Sequence, residues 1–108
     1  MATQFDANRH HAPTANNLAV VQLAAPGTEQ RNIIWRIDYS YSNTPTNGFL
    51  FIRDGTTTVF ELDITAAGPG SVVFANGQAG DFNNDITVTL TAGGATIYGK
   101  LNVEATVE

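Results

Sequence analysis

Asn32-Ile33-Ile34-Trp35-Arg36-Ile37-Asp38-Tyr39-Ser40-Tyr41-Ser42 alternates apolar and polar side chains over most of its length. Successive side chains of a β-strand point to opposite faces, so this run predicts one strand with two unlike sides. Ile33, Trp35, Ile37, Tyr39 and Tyr41 fall on one side and are expected in a core. Ile34, Arg36, Asp38, Ser40 and Ser42 fall on the other, toward water or a partner. The same period of two returns in Phe60, Leu62 and Ile64, and again in Ile86, Val88 and Leu90. Asn47-Gly48, Asp54-Gly55, Gly68-Pro69-Gly70, Asn76-Gly77 and Gly93-Gly94 punctuate these runs, and such pairs mark turns.

Working outward, Leu18 to Ala24 reads as a first strand, ended by Pro26-Gly27. Gly48 to Arg53 is apolar at four consecutive positions, Phe49 to Ile52. A sheet with one wet face needs only alternate apolar positions, so two of these four point away from the core. That predicts a strand covered on both faces or an apolar patch that meets a partner. Asp54-Gly55 predicts a tight type I′ hairpin into Thr57 to Ile64. Gly70 to Phe74 reads as a short strand and Asp85 to Thr91 as another, with Thr87, Thr89 and Thr91 outward.

The last strand is expected over Ala95 to Thr106. Ile97, Leu101, Val103 and Val107 would share its inner face, opposite Tyr98, Lys100, Asn102 and Glu104. Gly99 interrupts the inner series, as at a bulge or a close approach. Seven strands follow, with an eighth available from the N-terminal segment, and no stretch shows a helical period beyond one turn. The expected fold is an all-β antiparallel sandwich of jelly-roll type over residues 18–108. Residues 1–17 lack an apolar period and read as an irregular arm. It is either a disordered terminus or a segment that orders against a neighbour, with Phe5 as its anchor.

A chain of 108 residues is long enough for one domain that buries roughly two thirds of its unfolded surface. It has no cysteine, which excludes disulfides and thiolate metal sites. Nothing near Met1 has the pattern of a secretion leader, and no apolar run approaches the roughly 20 residues of a helical membrane span. No membrane association is expected. Five basic residues against ten acidic ones are scattered, so no cationic face for nucleic acid is expected. Charged residues make up 14% of the chain, below the roughly 25% of ordinary soluble domains. A surface with few charges costs less to desolvate, which favours a subunit of an assembly.

Candidate chemistry is sparse. The adjacent pair His10-His11 lacks a third ligand nearby and reads as exposed chain, so neither a metal nor a cofactor is expected. Asp81-Phe82-Asn83-Asn84-Asp85 spaces oxygen side chains like the start of a calcium loop. It lacks the following glycine and glutamate, and reads as a turn whose side chains cap their own backbone. Asp38, Glu61 and Asp63 could be imagined as an acid–base set but fall on outward strand positions. No nucleophile motif or phosphate loop occurs, so no enzymatic activity is expected. Trp35, Tyr39 and Tyr41 read as core rather than as a sugar platform, whereas Tyr98 falls on an outward face. The expected contact residues are Phe5, Phe49, Phe51 and Tyr98.

The order of motifs, from Ile34-Trp35-Arg36-Ile37-Asp38-Tyr39-Ser40-Tyr41-Ser42 through Pro45, Gly48, Asp54-Gly55, Leu62-Asp63-Ile64 and Ala67-Gly68-Pro69 to Gly99-Lys100-Leu101-Asn102-Val103, resembles small structural proteins of tailed bacteriophages. The resemblance is to capsid cement, or decoration, proteins and covers about Leu18 to the C-terminus. It implies a homotrimeric jelly roll, made in the host cytoplasm, that binds the major capsid protein on the outer surface of the virion. No catalytic residue or cofactor comes with it. The alternative within the same resemblance is a trimeric receptor-binding or tail-fibre tip module.

Overall fold

The period of two that runs through the chain resolves into eight strands in the computed structural model, which describes residues 9–108. They are β1 (His10–His11), β2 (Ala19–Leu23), β3 (Asn32–Tyr41), β4 (Gly48–Asp54), β5 (Thr57–Ile64), β6 (Gly68–Ala79), β7 (Ile86–Leu90) and β8 (Gly99–Val107). The first strand pairs with the eighth, the second with the seventh, the third with the sixth and the fourth with the fifth, all antiparallel. Rolling this nested strip gives two four-stranded sheets, ordered β1-β8-β3-β6 and β2-β7-β4-β5. That is the jelly-roll sandwich expected from the sequence.

Apolar side chains of alternate positions meet between the sheets. Val21, Leu50, Ile52, Val88 and Leu90 come from one sheet, and Ile34, Ile37, Leu101 and Val103 from the other. The β5–β6 side of the sandwich is closed by Phe60 and Phe74, whose rings meet edge to face at 5.4 Å. At the opposite side the His11 ring spans the sheets, its Nδ1 accepting the Val20 N–H at 2.9 Å.

β3 departs from strict alternation. Its register on both neighbours shifts between Ile34 and Arg36, as in a β-bulge. Ile34 is therefore fully buried in the core, while Ile33 and Trp35 move to the other side. There they flank Gly77, whose missing side chain leaves them room. Trp35 Nε1 donates to Thr106 Oγ1 at 2.8 Å, which satisfies the indole on this half-exposed face. The expected inner set of β3 holds for Ile37, Tyr39 and Tyr41 and reverses before the bulge.

Other boundaries also differ. Gly68-Pro69-Gly70 is the start of β6 rather than a turn; β6 is an edge strand, where proline leaves no ladder bond unmade. Asn76-Gly77 lies within β6, where the pairing jumps from Val73 to Gln78 and Gly77 takes φ +78°. The hairpin after β4 is present, but its loop is Gly55-Thr56, with Asp54 paired to Thr57. Positive φ occurs only at the first loop residue, Gly55, which fits type II′ rather than type I′. β8 begins at Gly99, so Ile97 plugs the end of the sandwich from a loop. Gly99 is paired with Tyr41, and Leu90 approaches its inner side.

The arm reading of residues 1–17 is corrected for its second half. β1 pairs with β8, the Arg9 guanidinium donates to the Ala105 carbonyl, and Asn16 N–H donates to Ile97 O at 3.0 Å. Residues 9–17 are thus fastened to the chain's own sandwich. Phe5 lies outside the described residues.

Candidate functional site

β4 places Leu50 and Ile52 in the core and turns Phe49 and Phe51 to the outside, as the four-residue apolar run requires. The two outward rings stand 5.6 Å apart on the face of the β2-β7-β4-β5 sheet. Strand register builds rows across this face. Val20 lies opposite Thr89, Thr89 opposite Phe51, and Phe51 opposite Glu61. The next row runs Gln22, Thr87, Arg53 and Thr58, and Phe49 faces Asp63. Leu18, two positions before Val20, is 51% exposed beside them. Thr89 is buried on this outer side, between Val20 and Phe51.

Charged residues stand at the margin. Glu61 and Asp63 sit on the edge strand β5, and Arg53 stands at the end of β4 with its guanidinium 5.3 Å from the Phe51 ring centre. The middle of the face is formed by threonines and phenylalanines, and the one charge that reaches it is the Arg53 guanidinium over Phe51. An apolar centre with a polar rim is the usual anatomy of a protein contact.

Tyr98 does not join this face. It precedes β8 in the other sheet, beside Ser40, Ser42 and Lys100, and is 50% exposed. Its N–H donates to Ser42 Oγ at 2.8 Å, and its carbonyl accepts the Ser42 N–H at 2.9 Å. Phe49 and Phe51 on one side and Tyr98 on the other therefore belong to opposite outer faces of the sandwich.

The face that carries Tyr98 is polar along its middle rows, with Trp35 and the 67% exposed Val73 at its bulged end. His10 Nδ1 lies 2.7 Å from Asn102 Oδ1, and Asn102 is paired with Asp38. Asp38 accepts from Arg36 Nε at 2.9 Å and from Ser71 Oγ. Asp38 is thus tied into this network, while Glu61 and Asp63 lie on the far sheet, so the three carboxylates do not converge. His10 and His11 also diverge, one onto the polar face and the other to the Val20 amide. Among the described residues no group of three or more His, Asp or Glu side chains is placed to hold a metal ion.

The Asp81–Asp85 segment is a turn, but its side chains cap other loops rather than their own backbone. Asn83 Oδ1 accepts the Gly27 N–H at 3.0 Å, and Asn84 Nδ2 donates to Asp54 Oδ1 at 3.3 Å. Tyr41 has a displaced ionisation. Burial raises its pKa, and its hydrogen bonding to Thr91 partly offsets that. Its hydroxyl donates to Thr91 O at 2.8 Å, so the group is held as a neutral core phenol.

No family model matches the chain, and no curated protein matches it. Among solved structures, it aligns with the carbohydrate-binding module CBM36, determined in complex with calcium and xylotriose. The alignment has 13% identity and a TM-score of 0.41, covering 100% of this chain and 87% of that one. Similarity at this level says nothing about a shared ligand or role.

Proposed function

We propose that the chain is a phage structural protein that assembles as a homotrimer on the outside of a capsid and cements the shell of the major capsid protein. The observation that supports this reading is the outward pair Phe49 and Phe51, with Thr87 and Thr89 beside them, on a face whose carboxylates are kept to its edge strand. Phenylalanines at these positions add nothing to the sandwich interior, which Leu50 and Ile52 already fill. Covering them with protein would release apolar surface from water at about 25 cal/mol per Å². Many copies on one shell would then hold adjacent capsid subunits by avidity. The sequence resemblance supplies the identity of the partner, and the low charge content agrees with it.

Co-sedimentation with purified phage heads tests the proposal. Wild-type protein is expected to pellet with heads, and Phe49→Asp is expected to stay in the supernatant. Wild-type protein that ignores heads and binds host cells would replace the cement role with the receptor-binding one.

A further inference from the structure

Four non-glycine residues among those described adopt positive φ: Asn16, Glu29, Asn47 and Asn83. Asparagine enters this region more readily than glutamate, because its short polar side chain can hydrogen-bond locally and offset the crowding at Cβ. Glu29 occupies the third position of a tight turn closed by Gln30 N–H donating to Gly27 O at 3.1 Å. A positive φ there is the hallmark of a type II turn, whose usual occupant is glycine. Strain of this kind marks positions where a side chain is kept for what it does.

The surroundings of Glu29 indicate what that is. Glu29 and Thr28 line an open groove of about 610 Å³ with Phe82 and Asn83. The Phe82 ring is 59% exposed, and the Arg31 guanidinium sits 5.2 Å from its centre. The two loops that form the groove are locked together. Asn83 N–H donates to Gln30 O at 2.7 Å, Gly27 N–H donates to Asn83 Oδ1, and Asn32 Nδ2 donates to Asn84 O at 3.4 Å. Asp54 adds a brace by accepting the Asp81 N–H at 3.0 Å. Loops braced in this way lose little freedom on binding.

We infer that this groove is a binding site for a neutral sugar residue, stacked on Phe82 and hydrogen-bonded by Glu29, Asn83 and Thr28. A sugar ring presents a C–H face to an aromatic ring and several hydroxyls that both donate and accept. The carboxylate of Glu29 supplies an acceptor and the hydroxyl of Thr28 supplies both roles. The Asn83 oxygen is engaged by Gly27, which leaves its amide nitrogen as the donor. An aromatic surface bordered by a few polar groups is a composition that small-molecule sites use. The groove lies on the loops beyond the Arg53 end of the Phe49–Phe51 face, so it stands apart from the assembly contact.

The test is a ¹H–¹⁵N NMR titration of the intact chain with methyl glycosides of glucose, galactose, mannose and N-acetylglucosamine in the millimolar range. At least one is expected to give saturable shifts centred on Thr28, Glu29, Phe82 and Asn83, and Phe82→Ala is expected to abolish them. Glu29→Gly is expected to raise the melting temperature by relaxing the turn and to lose the same shifts. The site is overturned if no glycoside gives saturable shifts, if the shifts centre elsewhere, or if they persist in Phe82→Ala. A lowered melting temperature in Glu29→Gly would overturn the strain argument that led to it.

Discussion

The two outer faces of the sandwich are built on equal numbers of strands, yet they treat their side chains differently. On the β1-β8-β3-β6 face, polar groups satisfy one another: His10 with Asn102, and Asp38 with Arg36 and Ser71. On the β2-β7-β4-β5 face, phenylalanines and threonines occupy the middle, and the charges stand at the margin. The first arrangement satisfies its polar groups internally, with apolar exposure from Val73 and part of Trp35 at its bulged end. The second gains from being covered. A surface whose apolar side chains lack neighbours is the one that a covering partner would stabilise most.

The sharpest test of this contrast lies within one strand. Leu50→Ala opens a cavity in the core and is expected to lower unfolding free energy by about 2–5 kcal/mol in a denaturant titration. Phe51→Ala, one position away on the outer side, is expected to cost about 1 kcal/mol in the isolated chain while weakening self-association. Equal losses of fold stability would break the distinction between inner and outer rows.

Tyr41→Phe probes the core without touching either face. It removes the hydrogen bond to Thr91 and is expected to cost about 1 kcal/mol at neutral pH. Burial raises the Tyr41 pKa above that of the unfolded chain, so the folded state holds the proton more tightly. Its contribution is then fully present below the unfolded value of about 10 and is lost as pH rises from there through the folded pKa. Melting curves collected across that alkaline range should show the loss in wild type, with this component absent in Tyr41→Phe.

The smallest effect belongs to the polar face. Asp38→Asn breaks the half-exposed ion pair with Arg36, and a change of less than about 1 kcal/mol is expected, shrinking further in added salt. Oligomeric mass should not change. A variant at Asp38 that altered assembly would place the contact on the wrong face of this account.

Much of the fold could be read from residue order because alternation and turn residues act locally. Leu50 and Ile52 against Phe49 and Phe51, and the Ile86, Val88 and Leu90 series, were legible for that reason. The reversal of Ile33, Ile34 and Trp35 was not, since a bulge is set by pairing with strands distant in sequence. Gly68-Pro69-Gly70 reads as a turn until β6 is known to be an edge strand. The candidate face was legible through Phe49 and Phe51, but the separation of Tyr98 from them depends on which sheet each strand enters. Glu29 carried no signal at all: glutamate in a glycine position looks ordinary until the dihedral is seen.

The most direct test of the central claim is the mass in solution of wild-type protein and of Phe51→Lys, measured by light scattering on a size-exclusion column. Wild type is expected to run as a trimer and the variant as a folded monomer, its circular dichroism unchanged. A wild-type monomer, or a variant that remains trimeric, would contradict that claim.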